Sequence, residues 1–236
     1  MHFIVITEPQ FTDNEAAIIA QLLHWGTDLV HLRKPEGSAD ELAKLIEAIP
    51  TAYHNRIVLH DHFDLATYFT LHGLHLNRRN NVLPPNHKGT VSQSCHTLDE
   101  VKACKTKCDY VFLSPVFNSI SKQGYASAFT PKTLSEAKKQ SIIDQKVFAL
   151  GGITAANIDK VKHYGFGGVA LLGDIWSRTA DKNFEQYVRK IIKICSSVRS
   201  VKFISSSISR PPRRSRACLP LATAPSRFDC PRRARL

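Results

Sequence analysis

Short apolar runs alternate with amphipathic segments along most of the chain. The first apolar run, residues 3–8, is followed by residues 14–25, whose apolar positions have helical spacing. The same order recurs at further apolar runs over residues 29–34, 57–62, 73–77, 90–96, 110–117, 146–152 and 168–174. Strands that are apolar at nearly every position are typical of parallel sheets, in which both faces are buried. The pattern therefore predicts an α/β fold with eight parallel strands.

Helix start signals separate most of these strands. Ser38 with Glu41 three residues later is typical of a capping box. Thr97 and Thr154 are typical N-cap residues for two later helices. A helix is also expected over about residues 63–71, and a last helix is expected to end near Cys195. Only the connection after the fourth strand is weak. Eight such units in about 196 residues predict a single (β/α)8 TIM barrel at the short end of its size range. An open, doubly wound sheet stays the alternative, because sequence does not show closure.

Charge divides the chain into two parts. Residues 199–236 contain ten Lys and Arg and one acid, a net charge of +9, whereas the residues before them carry 22 bases and 19 acids, a net +3. The C-terminal segment is rich in Arg, Pro and Ser and has no periodicity, so residues 198–236 are expected to be a disordered tail behind a barrel domain of residues 1–197. A basic arm for nucleic acid is one interpretation; an extension unrelated to function is favoured, and no nucleic-acid partner is expected.

Composition otherwise fits an ordinary globular protein, with 43% hydrophobic and 22% charged residues. No apolar run approaches the roughly 18–20 residues of a membrane span, and the N-terminus lacks the basic region of a signal peptide, so a cytoplasmic protein without membrane contact is expected. The six cysteines form no CxxC pair. Cys104 and Cys108 lie one helical turn apart, but free thiols are favoured over a metal site.

The predicted C-terminal ends of the strands share cations, histidines, hydroxyls and glycines. In a TIM barrel these ends build the active site. They carry His31, Arg33 and Lys34; His60, Asp61 and His62; His75, Asn77, Arg78 and Arg79; Ser94 and His96; Ser114, Ser119, Ser121 and Lys122; Gly151 and Gly152; and Gly173 and Asp174. Such a rim suits an anionic small molecule, most simply a phosphorylated one.

Glycines at the ends of the last two strands sharpen this prediction. The sequence ALGGIT places Gly151 and Gly152 between a strand and a helix, and LLGD places Gly173 at the same point of the next strand. Bare backbone N–H groups at such positions approach a phosphate closely, and the loops after strands seven and eight often form the phosphate site of a barrel. Two adjacent glycine turns favour a phosphate site over tight turns alone.

Several motifs together resemble one known family. VHLRK, LHDHFDLA, GLHLN, SCHTLDEV, DYVFLSPVFNSISK, ALGGITAANI and GVALLGDI occur in order between about residues 3 and 177. In this the chain resembles the thiamine phosphate synthase family, which includes related thiazole tautomerases. The resemblance implies a TIM barrel acting in thiamine biosynthesis. Synthases of this family join an aminopyrimidine diphosphate to a thiazole phosphate, and Mg²⁺ holds the leaving pyrophosphate.

The resemblance also assigns roles to individual residues. Arg33 is expected at the pyrophosphate, Ser94 near the pyrimidine and Asp61 on the metal. Ser119, Ser121 and Lys122 belong to a loop expected to close over anionic groups. Gly152, Leu172 and Gly173 are expected to hold the thiazole phosphate.

Four departures from the synthase pattern concern the pyrimidine and metal sites. His31 replaces the usual Gln, and His60 replaces the Asn of an Asn-Asp pair. Pro35 replaces a loop lysine, for which Lys34 is a candidate substitute. The second metal aspartate falls within NRRNN, where no acid occurs. Because Mg²⁺ usually needs one or two carboxylates besides substrate phosphates, Asp61 is expected to pair with Arg33 rather than to bind magnesium.

A tautomerase would tolerate these departures, because it needs neither a diphosphate nor a metal. It moves a proton on a thiazole carboxylate phosphate, and His96 in SCHT matches the tautomerase histidine. The sequence therefore slightly favours a thiazole tautomerase without a cofactor over an Mg²⁺-dependent synthase. A non-catalytic ligand-binding or regulatory protein and another phosphate-handling barrel, such as a sugar-phosphate isomerase, stay open, as does a homo-oligomer. His62 and His75 are expected to be structural.

Overall fold

Eight parallel strands form a closed barrel. The computed structural model of the protein describes residues 1–118 and 129–197. The strands pair in chain order, and β1 closes the barrel by pairing in parallel with β8. Their bounds are β1 His2–Ile6, β2 Leu29–Leu32, β3 Ile57–Leu59, β4 Gly73–Leu76, β5 Thr90–Cys95, β6 Tyr110–Leu113, β7 Val147–Leu150 and β8 Gly168–Leu171. The TIM-barrel prediction is confirmed, and the open-sheet alternative is wrong.

Seven α-helices follow the strands in the described residues. They are α1 Glu15–Trp25, α2 Ala39–Ala48, α3 Leu98–Cys104, α4 Pro131–Lys139, α5 Ile158–His163, α6 Gly173–Trp176 and α7 Phe184–Ser196, with 3-10 segments at Thr51–Arg56 and Phe63–Thr67. The short α6 is held against the barrel by Trp176, whose indole Nε1 donates to the carbonyl of Ile6 at 2.8 Å. The predicted tail, residues 198–236, lies outside the described residues.

Two helix predictions need correction. The helix expected over 63–71 is only the 3-10 segment Phe63–Thr67, which starts after His62 in the left-handed conformation (φ 52°). The helix expected from Thr154 begins at Ile158 instead. Here the Thr154 amide donates to Asn157 Oδ1, and the Ala156 amide donates to Thr154 Oγ1, so these side chains build a turn before the helix.

The cap predicted for α2 is present. The Glu41 amide donates to Ser38 Oγ at 3.3 Å, and the Ser38 amide donates to Glu41 Oε2 at 2.9 Å. Two of the four otherwise unpaired amides at the helix start are therefore satisfied by one reciprocal pair. Thr97 caps α3 with a single bond of this kind, in which its Oγ1 accepts from the Glu100 amide at 3.1 Å.

Alternate residues of the strands point to two separate apolar layers. Ile4 and Ile6 of β1 belong to a small cluster with Phe112 of β6 and Phe148 of β7. Phe3 and Val5 belong to the large cluster that includes the buried faces of the helices. The strands read as continuously apolar because both of their faces are buried, inward in the barrel and outward under the helices.

Each of the four cysteines in the described residues is a free thiol. Cys95, Cys108 and Cys195 are buried and Cys104 is half-buried. Burial raises the pKa of the Cys108 thiol to about 11, so this sulfur is protonated and unreactive near neutral pH. Among residues 1–118 and 129–197, no group of side chains suited to a metal ion contains a cysteine.

No helix in the described part of the chain combines the length and the apolar character needed to cross a membrane.

Candidate active site at the mouth of the barrel

A chain of buried polar side chains fills the interior of the barrel below its C-terminal mouth. His31 of β2 is fully buried. Its Nδ1 lies 2.9 Å from Nε2 of His60, at the end of β3, and its Nε2 lies 2.8 Å from the hydroxyl of Tyr110 on β6. Both nitrogens of His31 therefore have partners inside the barrel, and the expectation that this residue contacts a ligand directly finds no support in its position.

His75 of β4 extends the polar interior toward the mouth. Its Nδ1 lies 2.8 Å from Ser92 Oγ, and its Nε2 lies 2.8 Å from Ser94 Oγ. Ser92 is buried, whereas Ser94 is half-buried nearer the carboxyl end of β5. Ser94 is thus the member of this chain that a bound molecule can reach, which agrees with its expected place near a ring.

Burial keeps these imidazoles neutral. It lowers the pKa of His75 to about 3 and holds the pKa values of His31 and His60 well below the usual 6.5. A neutral imidazole has one donor and one acceptor nitrogen. Because both nitrogens of His75 face serine hydroxyls, one serine donates to the ring and the other accepts from it.

The three histidines also bring ligand atoms within 4.8 Å of one another, as a metal site would. Two observations favour the hydrogen-bonded network instead. The rings of His60 and His75 stack with their centroids 4.0 Å apart, so they lie side by side rather than pointing at one centre. Both nitrogens of His75 are also engaged by serines.

Lys34 does not reach the barrel mouth. Its ammonium group donates to both carboxylate oxygens of Glu15, at 2.7 and 2.8 Å, and to the carbonyls of Glu8 and Gln10, at 3.0 and 2.6 Å. The side chains of Lys34 and Glu15 are 0% and 2% exposed. The sequence expectation that Lys34 binds phosphate, or replaces the missing loop lysine, is therefore corrected: its charge is used inside the fold.

Asp61 is paired with Arg79 rather than with Arg33. Its Oδ1 accepts from Arg79 Nη2 at 3.0 Å and from Asn80 Nδ2 at 3.1 Å, while its Oδ2 accepts from the Lys34 amide at 3.1 Å. The expectation of an ion pair at Asp61 holds, but its partner is a residue of the NRRNN segment. In the part of the chain that the structure describes, no candidate metal cluster includes Asp61. These residues do not fit the magnesium ion that a synthase resemblance implies.

Arg33 is the cation of the VHLRK motif whose side chain remains available to contact a ligand. Its backbone amide donates to Thr7 Oγ1 at 3.0 Å, which fixes the chain at the end of β2. Its half-buried guanidinium group forms no hydrogen bond or ion pair with any described residue. Thr7 was not recognised from sequence, although a hydroxyl at the end of β1 would face the neighbouring end of β2.

His96 is exposed just beyond β5 and has a fixed ring. Its Nδ1 lies 3.0 Å from the carbonyl oxygen of Ser114, and its backbone amide donates to Glu100 Oε2 at 2.6 Å. Because a carbonyl only accepts, Nδ1 carries the hydrogen, and Nε2 of the neutral ring keeps its lone pair. This ring geometry is compatible with both a structural and a proton-transferring His96.

The glycines after β7 allow a close approach to the loop after β6. Gly151 and Gly152 have φ values of 88° and 65°. A Cβ on Gly152 would lie 2.5 Å from the carbonyl oxygen of Asn118, so no larger residue fits without movement. Within the described residues, the amides of Gly152 and of Gly173 after β8 have no acceptor. Both the tight-turn and the phosphate interpretations are compatible with this geometry.

The remaining predicted residues fall into two groups. Ser119, Ser121 and Lys122 lie outside the described residues. Leu172 directly precedes α6, beside Gly173. Sequence reasoning missed Ser92 and Tyr110; the alternation of Ser92 and Ser94 along β5 would have placed both on one face.

Comparison with known proteins shows which family the chain belongs to. The family model described as thiamine monophosphate synthase matches residues 2–175. The chain belongs to this family. It is 27% identical over 169 residues to the thiamine-phosphate synthase of Clostridium tetani, covering 67% of this chain and 78% of the relative. It is 26% identical over 203 residues to that of Latilactobacillus sakei, with coverages of 80% and 88%.

A solved structure supports membership in the thiamine monophosphate synthase family. The thiamine phosphate pyrophosphorylase from Bacteroides thetaiotaomicron superposes with a TM-score of 0.76 at 42% sequence identity, covering 83% of this chain and 98% of the other. The recognition made from sequence motifs is thereby confirmed at the level of the family.

Proposed function

We propose that this member of the family is a transferase that joins an aminopyrimidine diphosphate to a thiazole phosphate and releases pyrophosphate. The names of the relatives favour this activity over the tautomerase that the sequence slightly favoured. The observation that supports it is that groups suited to anions lie in two separate regions of the mouth. Arg33 and Arg79 follow β2 and β4, whereas Gly152 and Gly173 follow β7 and β8. A synthase has two phosphate-bearing substrates, and a tautomerase has one.

The proposed reaction breaks one bond and forms another. The C–O bond between the pyrimidine methylene and the diphosphate breaks, and its electron pair leaves with the pyrophosphate. The ring nitrogen of the thiazole then bonds to the methylene carbon. The arginines offset the charge that grows on the leaving group, and the glycine amides hold the thiazole phosphate away from it.

Ser94 is the proposed contact to the pyrimidine ring. Its hydroxyl is oriented by His75, whose other nitrogen is tied to Ser92. A hydroxyl with a fixed direction distinguishes a donor from an acceptor on the substrate ring, because the mismatched group would be left buried without a partner. No step is assigned to magnesium, since Asp61 is already paired.

A second candidate, thiazole tautomerase, is favoured by one observation, the ring of His96. The Ser114 carbonyl holds Nδ1, so Nε2 presents a lone pair. A base in this position would remove a proton from one atom of a thiazole carboxylate phosphate and return it to another, which makes the ring aromatic without loss of any group.

Two assays on the purified full chain distinguish these candidates. A synthase converts aminopyrimidine diphosphate and thiazole phosphate into equal amounts of thiamine phosphate and pyrophosphate. A tautomerase aromatises thiazole carboxylate phosphate alone, and its rate falls by about 10²-fold or more in His96→Gln. Product from the first assay with none from the second supports the transferase; the reverse result would replace it with the tautomerase. Neither product, with thiazole phosphate still bound, would contradict both and leave a ligand-binding protein.

A further inference from the structure

The carboxylate of Asp61 already accepts three hydrogen bonds from the fold. Its side chain is 6% exposed, and both of its oxygens accept hydrogen bonds, from Arg79, Asn80 and the amide of Lys34. A divalent cation at Oδ1 would have to displace the guanidinium group of Arg79, and a cation at Oδ2 would lie beside that like charge. The family resemblance implies a metal here, but the residues present put a fixed organic cation in its place.

The ion pair with Asp61 engages only part of the Arg79 guanidinium group. One nitrogen of this group is bonded to Asp61, while 46% of the side chain remains exposed. Guanidinium carries five N–H donors in a planar fork that matches phosphate oxygens. The ion pair with Asp61 therefore orients the fork, and its other N–H donors have no acceptor among the described residues.

The loop that carries Arg79 is also fixed. Asn77 Oδ1 accepts from the amides of Arg79 and Asn80, at 2.9 and 3.1 Å, and Asn77 Nδ2 donates to the carbonyl of His60 at 2.7 Å. Asn80 Nδ2 donates to the same carbonyl at 3.0 Å. Two asparagine side chains thus tie the loop after β4 to the end of β3, so the arginine is placed before any ligand arrives.

Arg33 lies on the other side of the same strand end. Strand β3 runs between β2, which precedes Arg33, and β4, which precedes Arg79. The positive charges of both arginines contribute to the lowered pKa of His60, after burial and the neighbouring histidines, so both act on one ring. Two cations therefore flank the end of β3, and the guanidinium group of Arg33 has no partner among the described residues.

We propose that Arg79, oriented by Asp61, binds the diphosphate together with Arg33 in place of a divalent cation, so that this anion binds without metal. The substrate identity in this inference rests on the proposed function, but the anion site itself does not. Guanidinium groups on both sides of the strand end would hold a diphosphate through paired, charge-assisted hydrogen bonds.

The test is calorimetric titration of the full chain with inorganic pyrophosphate, once with EDTA and once with excess Mg²⁺. Binding in EDTA that excess Mg²⁺ does not tighten is the expected result. Arg79→Gln should weaken it by about tenfold or more, as expected for the loss of one charge-assisted pair. The matched control is Arg189→Gln, which removes an equal charge from the exposed Arg189–Glu185 pair on α7 and should leave the affinity unchanged within about twofold.

Two conservative variants separate the anion site from a metal site. Asp61→Asn should retain binding in EDTA, because the amide oxygen of asparagine can still accept from Arg79 and orient it, while a negative charge beside the anion is removed. Arg79→Lys keeps the charge but loses the fork, and it should bind between the wild type and Arg79→Gln. Binding that requires Mg²⁺ and disappears in Asp61→Asn overturns the proposal, as does an Arg79→Gln protein that is folded by circular dichroism and binds normally.

The outcome is also distinct from that of the activity assays. Pyrophosphate binding in EDTA by a protein that forms no thiamine phosphate supports the anion site and contradicts only the transferase. Thiamine phosphate formation that depends strictly on Mg²⁺, with no pyrophosphate binding in EDTA, overturns the anion site and leaves the transferase intact.

Discussion

Lys34 and Glu15 form an ion pair that is almost entirely removed from water. The Lys34 ammonium also contacts two backbone carbonyls and lies 4.7 Å from the centre of the Phe11 ring. Burial opposes both charges, raising the pKa of Glu15 and lowering that of Lys34, while the contacts between them favour ionisation. Such a pair tolerates loss of both partners better than loss of one.

Replacing Lys34 by Met should therefore destabilise the barrel by about 3–5 kcal/mol, because it leaves the Glu15 carboxylate buried without its donor. Urea unfolding at neutral pH measures this loss. The double variant Lys34→Met/Glu15→Leu should recover more than half of the lost free energy. A single variant within about 1 kcal/mol of the wild type would contradict the assignment of Lys34 to the core.

The buried histidines make stability depend on pH. His75 has a pKa of about 3 in the folded protein, below the usual value of about 6.5 in an unfolded chain. Below about pH 6.5 the unfolded state binds a proton that the folded state does not, so stability is full above that pH and falls as the pH drops toward 3. His31 and His60 act in the same direction.

His75 should contribute a slope of about 1.4 kcal/mol per pH unit between roughly pH 6 and pH 4. His75→Gln should reduce the slope of the unfolding free energy by about that amount in urea titrations across this range. His24→Gln, on the exposed face of α1, is the matched control and should leave the slope unchanged. An unchanged slope in His75→Gln would show that the imidazole is protonated inside the barrel.

At the scale of elements, the connection after β7 depends on its closeness to the connection after β6. The Phe117 amide donates to the Gly151 carbonyl at 3.1 Å, and Gly152 packs against the backbone of residues 117 and 118. These contacts set the position of the two loops at the mouth. A side chain at Gly152 would push them apart.

Gly152→Ala should cost more than the roughly 1 kcal/mol of a left-handed alanine, because its Cβ also meets backbone atoms. Gly165→Ala is the matched control, since Gly165 also has a left-handed φ of 82° but a Cβ there meets only side-chain carbons of Lys138, the nearest at 3.2 Å. Thermal unfolding should show a larger loss at residue 152. Equal losses at the two positions would mean that the loops separate easily.

The sequence predicted the elements better than it predicted the partners of their side chains. Apolar periodicity located all eight strands, and the Ser38 cap followed from local spacing, because both depend on residues near in sequence. The predicted partner of Asp61 was wrong because Arg33 and Arg79 follow β2 and β4, which are both neighbours of β3, the strand that precedes Asp61. Only the turn built by Asn77 decides which guanidinium group reaches the carboxylate.

Contacts across the barrel were beyond sequence reasoning altogether. His31 and Tyr110 are 79 residues apart and face each other only because both point inward from β2 and β6. Lys34 was misplaced for a similar reason, since its partner Glu15 lies on α1 and no local pattern indicates that the side chain turns inward. The sequence thus predicts a candidate site at the strand ends, whereas the pairing of its side chains with one another depends on the fold.

For the whole molecule, most of the net charge lies outside the segment that matches the family. The closed barrel and α7 end before residue 198, and the family match covers residues 2–175. Most of the net charge of +12 lies beyond them, since residues 199–236 contribute +9. The activity proposed for the barrel should therefore be separable from any attraction of polyanions to residues 199–236.

Removal of residues 198–236 should leave the thermal midpoint and the catalytic rate unchanged. It should greatly weaken binding to a polyanion such as heparin, because fewer ionic contacts form. The remaining affinity should also depend less on salt for the same reason. Melting curves, turnover and heparin affinity at two salt concentrations measure these effects. A truncated protein that loses turnover would show that the C-terminal segment takes part in catalysis.

Trp176 gives the protein an intrinsic optical reporter. The chain contains two tryptophans. Trp25 stacks edge-on against Phe184, on the helical layer, whereas Trp176 lies within α6, three residues after Gly173, and is bonded to the carbonyl of Ile6. A phosphate held by the Gly173 amide would change the field around this indole. In a Trp25→Phe protein, the shift in emission with added thiazole phosphate would then report occupancy of the β8 end of the mouth, without a label or a coupled assay.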